Sequence, residues 1–380
     1  MFGLYFRDMV SLITINRFLT RSPVFFSPSL RLSALGSSAF VTPRASLYSD
    51  TFQGFDLTRS RVAKANLLVS DQSEVKAKMK AEYLENGLKN IFNEEIQRLL
   101  LLSSSAEDLE LCLSVICGQL QDNLHSLDYT NLSYNLQLFF EMCHIINTPG
   151  PARKCWNEPE MRLILKSLKS RKRVERMFFD LLFKNEMYRE LVDEFQVQPD
   201  QYSNLPGQAP LVLALLSLYK IGTRASLEEG LKLVPLVEQS KLSRSRSIKA
   251  MCLLAYNLGE HSVAHSLLTK QMKMRFEEKR KFSSFNDSLH VQILIATGKL
   301  SEAVTKFRIH FLPTSPRDKL TVYYCVVKDL LMAVKEKDDE ELYKEVMKMV
   351  LFIEKSEQVY LSNQSLEEDL FRIVEPKNKN

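Results

Sequence analysis

Apolar residues in this chain fall into helix-length stretches separated by short polar breaks, and the breaks recur at a regular interval. Near Ser104, Asn147, Asn185, Gly222, Gly259, Gly298 and Lys337, they lie 43, 38, 37, 37, 39 and 39 residues apart. Each break joins two stretches of helical patterning. Residues 211–220 lead through Gly222 to 227–234, residues 251–257 through Gly259 to 263–268, and residues 289–296 through Gly298 to Ala303 and Phe307. Residues 174–183 and 188–195 flank the break at Asn185, and 322–334 and 342–353 flank the one at 335–339. The first stretch of each pair is apolar almost all round, so it needs neighbours on every side. A helix-turn-helix period of this size predicts an all-α, right-handed repeat solenoid of about six or seven helix pairs.

Upstream the same grammar continues. Residues 71–88 read as a helix with Asp71 or Ser73 placed to cap it, and 91–102 as an apolar helix. The break at Ser103-Ser104-Ser105 precedes Ala106-Glu107-Asp108, an acidic first turn suited to a helix start. Residues 148–160 hold three prolines and the only Trp, which predicts a rigid interruption. The chain thus divides into a leader (1–44), a connector with a first short helix (45–70), a helical-repeat body (71–355) and a polar tail (356–380).

The leader differs in kind from the rest. It carries five arginines (Arg7, Arg17, Arg21, Arg31, Arg44), no lysine and a single acid, Asp8, in a Ser-rich, partly apolar setting. That is the composition of a mitochondrial transit peptide. Arg17 and Arg21 interrupt the apolar stretch before it reaches the length of a secretory core or the about 20 residues of a membrane span. A matrix protein with no membrane span is the expectation. Removing the leader takes away five positive charges and one negative, lowering the net charge from +5 to +1. A nucleic-acid partner therefore needs local charge rather than a basic whole.

Composition narrows the rest. With 45% hydrophobic and 26% charged residues, and only 11 Gly and 13 Pro, the chain is neither disordered nor membrane-like, and it favours helix. The six cysteines lie mostly in apolar runs without a C-x-x-C pair, which reads as buried reduced thiols rather than a zinc ribbon. His261 and His265 stand at i, i+4, but Glu260 alone lies nearby as a further ligand, and a catalytic zinc site needs more. Phosphate-binding glycine loop, nucleophile elbow and H-E-x-x-H are all missing from the sequence. Paired acids, such as Asp338-Asp339 and Glu367-Glu368-Asp369, fall where helix starts take carboxylates. The expectation is a non-enzyme with no cofactor and no metal.

Three basic clusters stand where first helices begin: Arg171, Lys172, Arg173 and Arg176; Lys241, Arg244, Arg246 and Lys249; and Lys279, Arg280 and Lys281. Between Arg153 and Arg176 there are nine basic residues against three acidic ones. A cation at an exposed helix N-terminus costs about 0.3–1 kcal/mol against the macrodipole. A docked phosphate reverses the sign, because free backbone N–H groups and cationic side chains then converge on it. Stacked pairs bring these helix starts onto one edge, which suits the backbone of single-stranded RNA. An ordinary solvated rim has the same composition.

Tyr219-Lys-Ile-Gly222, the run from Asn257 to Ala264 and the run from Ala296 to Ala303 resemble the pentatricopeptide repeat. Val197-Gln198-Pro199-Asp200 is similar to its usual ending. The runs LVLALLSLYKIGTRASLEEGLKLV, LLAYNLGEHSVAHSLL and VQILIATGKLSEAV resemble the animal mitochondrial pentatricopeptide repeat-containing protein 2 family, over about residues 55–375. The resemblance implies a mitochondrial factor in transcript maturation that supports the respiratory chain. Two departures qualify it: the period of 37–39 exceeds the usual length of about 35, and the base-reading positions of plant-type repeats fall on Arg176, Leu213, Ala250 and Leu289. Apolar side chains cannot hydrogen-bond a base edge, so a one-repeat-one-base code does not carry over. The expected function is a non-catalytic RNA-binding adaptor. Its partners would be single-stranded mitochondrial RNA and RNA-processing proteins of the matrix. The alternative is a helical-repeat protein-interaction scaffold in the same compartment, favoured by the near-neutral mature charge.

Overall fold

The computed structural model describes residues 47–68, 72–81, 92–122, 129–167, 171–197, 209–239, 244–277, 283–312, 320–356 and 359–373. The chain divides into Met1–Pro43 and Arg44–Asn380, and every described residue belongs to the second unit. The transit-peptide expectation, and Asp71 as a cap, lie outside the described residues.

Nineteen helices and two short strands make up the described residues. In chain order they are α1 (Asp50–Gln53), α2 (Asp56–Leu68), α3 (Gln72–Lys80), α4 (Asn93–Leu102), α5 (Ala106–Asp122), α6 (Tyr129–Ile146), α7 (Pro149–Asn157), α8 (Pro159–Ser167), α9 (Arg171–Lys184) and α10 (Tyr188–Val197). There follow α11 (Ala209–Ile221), α12 (Arg224–Gln239), α13 (Arg244–Asn257), α14 (His261–Glu277), α15 (Ser284–Ala296), α16 (Leu300–Phe311), β1 (Leu320–Tyr323), α17 (Tyr324–Glu336), α18 (Glu340–Lys355), β2 (Val359–Ser362) and α19 (Leu366–Leu370). The protein is mostly helical, as the periodicity predicts.

The breaks share one backbone device. Asn147, Glu186, Gly222, Gly259, Gly298 and Asp338 all take left-handed φ values, between 55° and 78°. At four of them the next N–H reaches back five residues: Thr148 to Cys143, Met187 to Leu182, Glu260 to Ala255 and Lys299 to Leu294, at 2.9–3.0 Å. This is the Schellman closure, which satisfies the last carbonyls of the first helix and turns the chain sharply. Glycine adopts the conformation without a Cβ penalty, whereas Glu186 and Asp338 bear it. The helix after Asp338 is secured by Asp339, whose side chain accepts from the Leu342 N–H at 3.0 Å.

Helices α6, α9, α11, α13, α15 and α17 touch in succession, forming a continuous row of first helices. From α10 to α16, each second helix packs on its own partner and on the next member of the row. Side-chain bonds repeat the period: Asn147–Asn185 and Tyr219–Asn257 join residues 38 apart, Gln292–Asp329 and Arg308–Glu345 join residues 37 apart, and Arg189–Glu229 joins residues 40 apart. Equivalent positions of successive pairs thus lie side by side. Leu211, Leu213, Leu215, Leu216 and Leu218 of α11 are fully buried, the outcome for an apolar helix packed on all sides.

Two readings change. The prolines of 148–160 do not interrupt helix: Pro149 and Pro159 each open one, where the missing N–H costs nothing. Trp156 of α7 then stacks on Phe178 of α9 at 4.4 Å. The tail after Lys355 also contains structure. Strand β2 pairs in parallel with β1, Leu320 opposite Val359, and α19 packs on α13 and α15 with Leu366 and Leu370 buried. Residues 374–380 lie outside the described residues. No helix among the described residues is long and apolar enough to cross a membrane.

Candidate nucleic-acid interface

On α9, Arg173, Arg176 and Asp180 share one face at helical spacing, and that face meets residues 47–55. Asp180 is fully buried. Its carboxylate accepts from the Leu47 N–H at 3.0 Å and from Gln53 Nε2 at 3.1 Å, and meets His144 Nε2 of α6 at 3.0 Å. Arg176 donates to Gln53 Oε1 at 3.0 Å and covers the Phe52 ring at 5.0 Å. Arg173 donates to the Gly54 carbonyl at 3.1 Å and pairs with Glu141 at 2.8 Å. Burial lowers the pKa of Arg176, opposed by the charges of Tyr48 and Asp180. Tyr48 is pushed well above the usual phenol range by burial and then by Asp180, against the nearby charges of Arg246 and Arg176.

The first basic cluster is therefore divided. Arg173 and Arg176 fasten the segment before α2, and Arg171 pairs with buried Glu175 at 2.6 Å along its own helix. Lys172 is exposed. In the second cluster, Arg246 donates to the Arg372 carbonyl at 2.6 Å, and Lys249 Nζ stands 4.3 Å from the Phe285 ring centroid. Arg244 opens α13, though its side chain lies outside the described residues, as do Lys241 and all of Lys279, Arg280 and Lys281. Leu213, Ala250 and Leu289, which the resemblance aligns with base-reading positions, are 0% exposed, so no ligand reaches them.

The structure adds residues that sequence reasoning missed. Phe371, just after α19, lies against Phe183 of α9 (6.2 Å between centroids, 21° between planes) and Tyr219 of α11 (5.5 Å, 49°). Lys220 Nζ sits 4.1 Å from the Phe371 centroid and donates to Glu367 Oε1 at 2.9 Å. Beside this contact opens a cavity of about 740 Å³, lined by Lys249, Ser284, Tyr323, Tyr360, Asp369 and Arg372 among others. Asp369 raises the Tyr323 phenol further, second to burial. The acids at 367–369 read as a helix start in the sequence; nothing local reveals that the turn lands on the row of first helices.

The remaining chemistry is quiet. Cysteines 112, 143, 155 and 252 are buried and reduced, and burial pushes the Cys112 thiol up to about 12, far from a reactive thiolate. His265 packs edge-on against His290 of α15 at 5.4 Å, and His261 packs on Tyr256 at 5.5 Å. The chain matches no known protein-family model, no curated protein and no solved structure.

Proposed function

We propose that this chain is a non-catalytic adaptor of mitochondrial transcripts, built as a right-handed solenoid of pentatricopeptide-type helix pairs. It holds a single-stranded RNA segment and protects it or presents it to a processing enzyme of the matrix, in support of the respiratory chain. The reading is carried by one juxtaposition: the three basic clusters stand in the first turns of α9 and α13 and just before α15, first helices of one continuous row whose equivalent positions lie side by side. Contact runs through phosphates rather than base edges, because the reading positions of α11, α13 and α15 are sealed.

The test is the salt dependence of RNA binding by the mature protein. Phosphate contacts give a slope of about −0.7 per contact for single strands, so about four contacts predict a slope near −3. Lys172→Glu combined with Glu at Lys279, Arg280 and Lys281 should abolish binding. Absence of RNA binding at low salt overturns the reading. A specific observation favours the second reading, a protein-interaction scaffold: Arg171, Arg173, Arg176 and Arg246 already have intramolecular partners. Capture of a matrix protein that survives ribonuclease treatment, with no RNA affinity at low salt, selects the scaffold.

A further inference from the structure

The C-terminal segment 365–372 is acidic, aromatic and short, and it rests on a cationic, aromatic face. Its helix α19 opens with Glu367, Glu368 and Asp369. Beneath and beside it stand Lys220, Arg246 and Lys249, and the Asp369 charge is felt at Arg246. Phe371 occupies an aromatic slot between Phe183 and Tyr219, with the Lys220 ammonium above its ring. A planar ring held between aromatics, an anion on Lys220 and a carbonyl oxygen on Arg246 are the features by which proteins hold single-stranded nucleic acid: stacked base, phosphate and polar oxygen.

We propose that the face formed by Phe183, Tyr219, Lys220, Arg246 and Lys249 is a single-stranded RNA site, on which segment 365–372 sits as an internal mimic. Phe371 stands in for a base and the Glu367 carboxylate for a phosphate. This rests on the RNA reading and deepens it by naming a stretch of the path away from the base-reading positions. It also accounts for Arg246 being turned onto the tail, which it serves until RNA replaces it.

Leu366 and Leu370 anchor the segment, but the contacts at the proposed site itself are light. The Lys220–Glu367 pair is a third to a half exposed, and such pairs contribute little in water. Phe371 is half-buried and Arg372 exposed. The adjoining cavity gives a displaced strand room to run on toward Tyr323 and Tyr360.

The experiment measures binding of a fluorescent single-stranded 12-mer RNA to the full chain by anisotropy. Freeing an occupied site raises apparent affinity by the inverse of the fraction previously open, so Glu367→Ala with Phe371→Ala should tighten binding about 5-fold or more. Adding Lys220→Glu to that pair should cancel the gain. A synthetic peptide of residues 365–372 should compete with RNA on the Glu367→Ala/Phe371→Ala chain, and its version with Ala at both positions should not. If thermal melting shows the double variant unfolded, Glu367→Ala alone, at an exposed carboxylate, must still tighten binding about 2-fold. Unchanged affinity, or a gain that survives Lys220→Glu, overturns the proposal. If wild-type binding keeps its steep salt slope in that case, the RNA adaptor stands without this site. If neither chain binds RNA but the opened face binds the acidic peptide, both RNA proposals fall and the face is a peptide site.

Discussion

Two terminal segments lie on the same row of first helices, and they are held by opposite physics. Residues 47–55 bury Leu47, Tyr48, Gln53 and Phe55 and close two bonds on the fully buried Asp180, which also meets His144 of α6. Residues 365–372 bury Leu366 and Leu370 but leave Glu367 and Arg372 toward water. A buried carboxylate cannot lose a partner without leaving charge or dipole stranded at low dielectric, whereas an exposed pair exchanges its partner for water at small cost. The contrast separates a clamp from an occupant.

Breaking the clamp gives the largest effect. Asp180→Ala strands the Leu47 N–H, Gln53 and His144 together, and should cost about 3–5 kcal/mol in urea unfolding. The same geometry bounds any removal of the leader: N-terminal sequencing of the protein isolated from cells should find its first residue at or before Leu47. A mature chain that begins beyond Phe55 would show the clamp to be dispensable.

Acid probes the row away from the clamp. Burial, then the charges of Lys306, His265 and His310, lowers His290 to about 4, against an unfolded value near 6.5. Below 6.5 the unfolded chain binds the extra proton, so stability is present above that pH and is lost progressively as pH falls toward about 4. His310, lowered to about 4 by burial and then by Lys306, acts in the same window. His290→Gln should therefore make that limb shallower, and His290→Gln with His310→Gln should flatten it, while leaving the Asp180→Ala deficit unchanged.

Smaller effects follow at the turns and at the tail. Gly259→Ala and Gly298→Ala place a Cβ at left-handed φ and should each cost about 1–2 kcal/mol. Asp338→Gly relieves the same strain and should be neutral or stabilising by up to about 1 kcal/mol. Glu367→Ala should cost less than about 1 kcal/mol, the value of an exposed pair. A cost comparable to that of Asp180→Ala would make the tail a second clamp and remove the basis for its exchange.

The turns show how far the pattern could be read. The expected breaks at Asn147, Gly222, Gly259 and Gly298 coincide with left-handed residues, and those at Asn185 and Lys337 fall one residue short. At those two sites a Glu and an Asp take the conformation instead of Gly, so composition gives no exact marker. The basic clusters were visible as charge, but their destinations were not. Lys172 and Arg173 are neighbours, and helical rotation alone sends one to water and the other to Gly54, 119 residues earlier in the chain.

By itself, then, the sequence determined what depends on neighbours along the chain. Helix type, the period of the breaks and the apolar, buried character of Leu213, Ala250 and Leu289 all follow from local spacing and polarity. The tertiary structure alone decided which cations remain free, that Asp180 gathers the N-terminal segment, and that an acidic turn reaches back 147 residues from Glu367 to Lys220. Contacts between distant segments depend on how helices stack and where the chain returns. Periodicity determines the stack's step but not the path of the ends that lie across it.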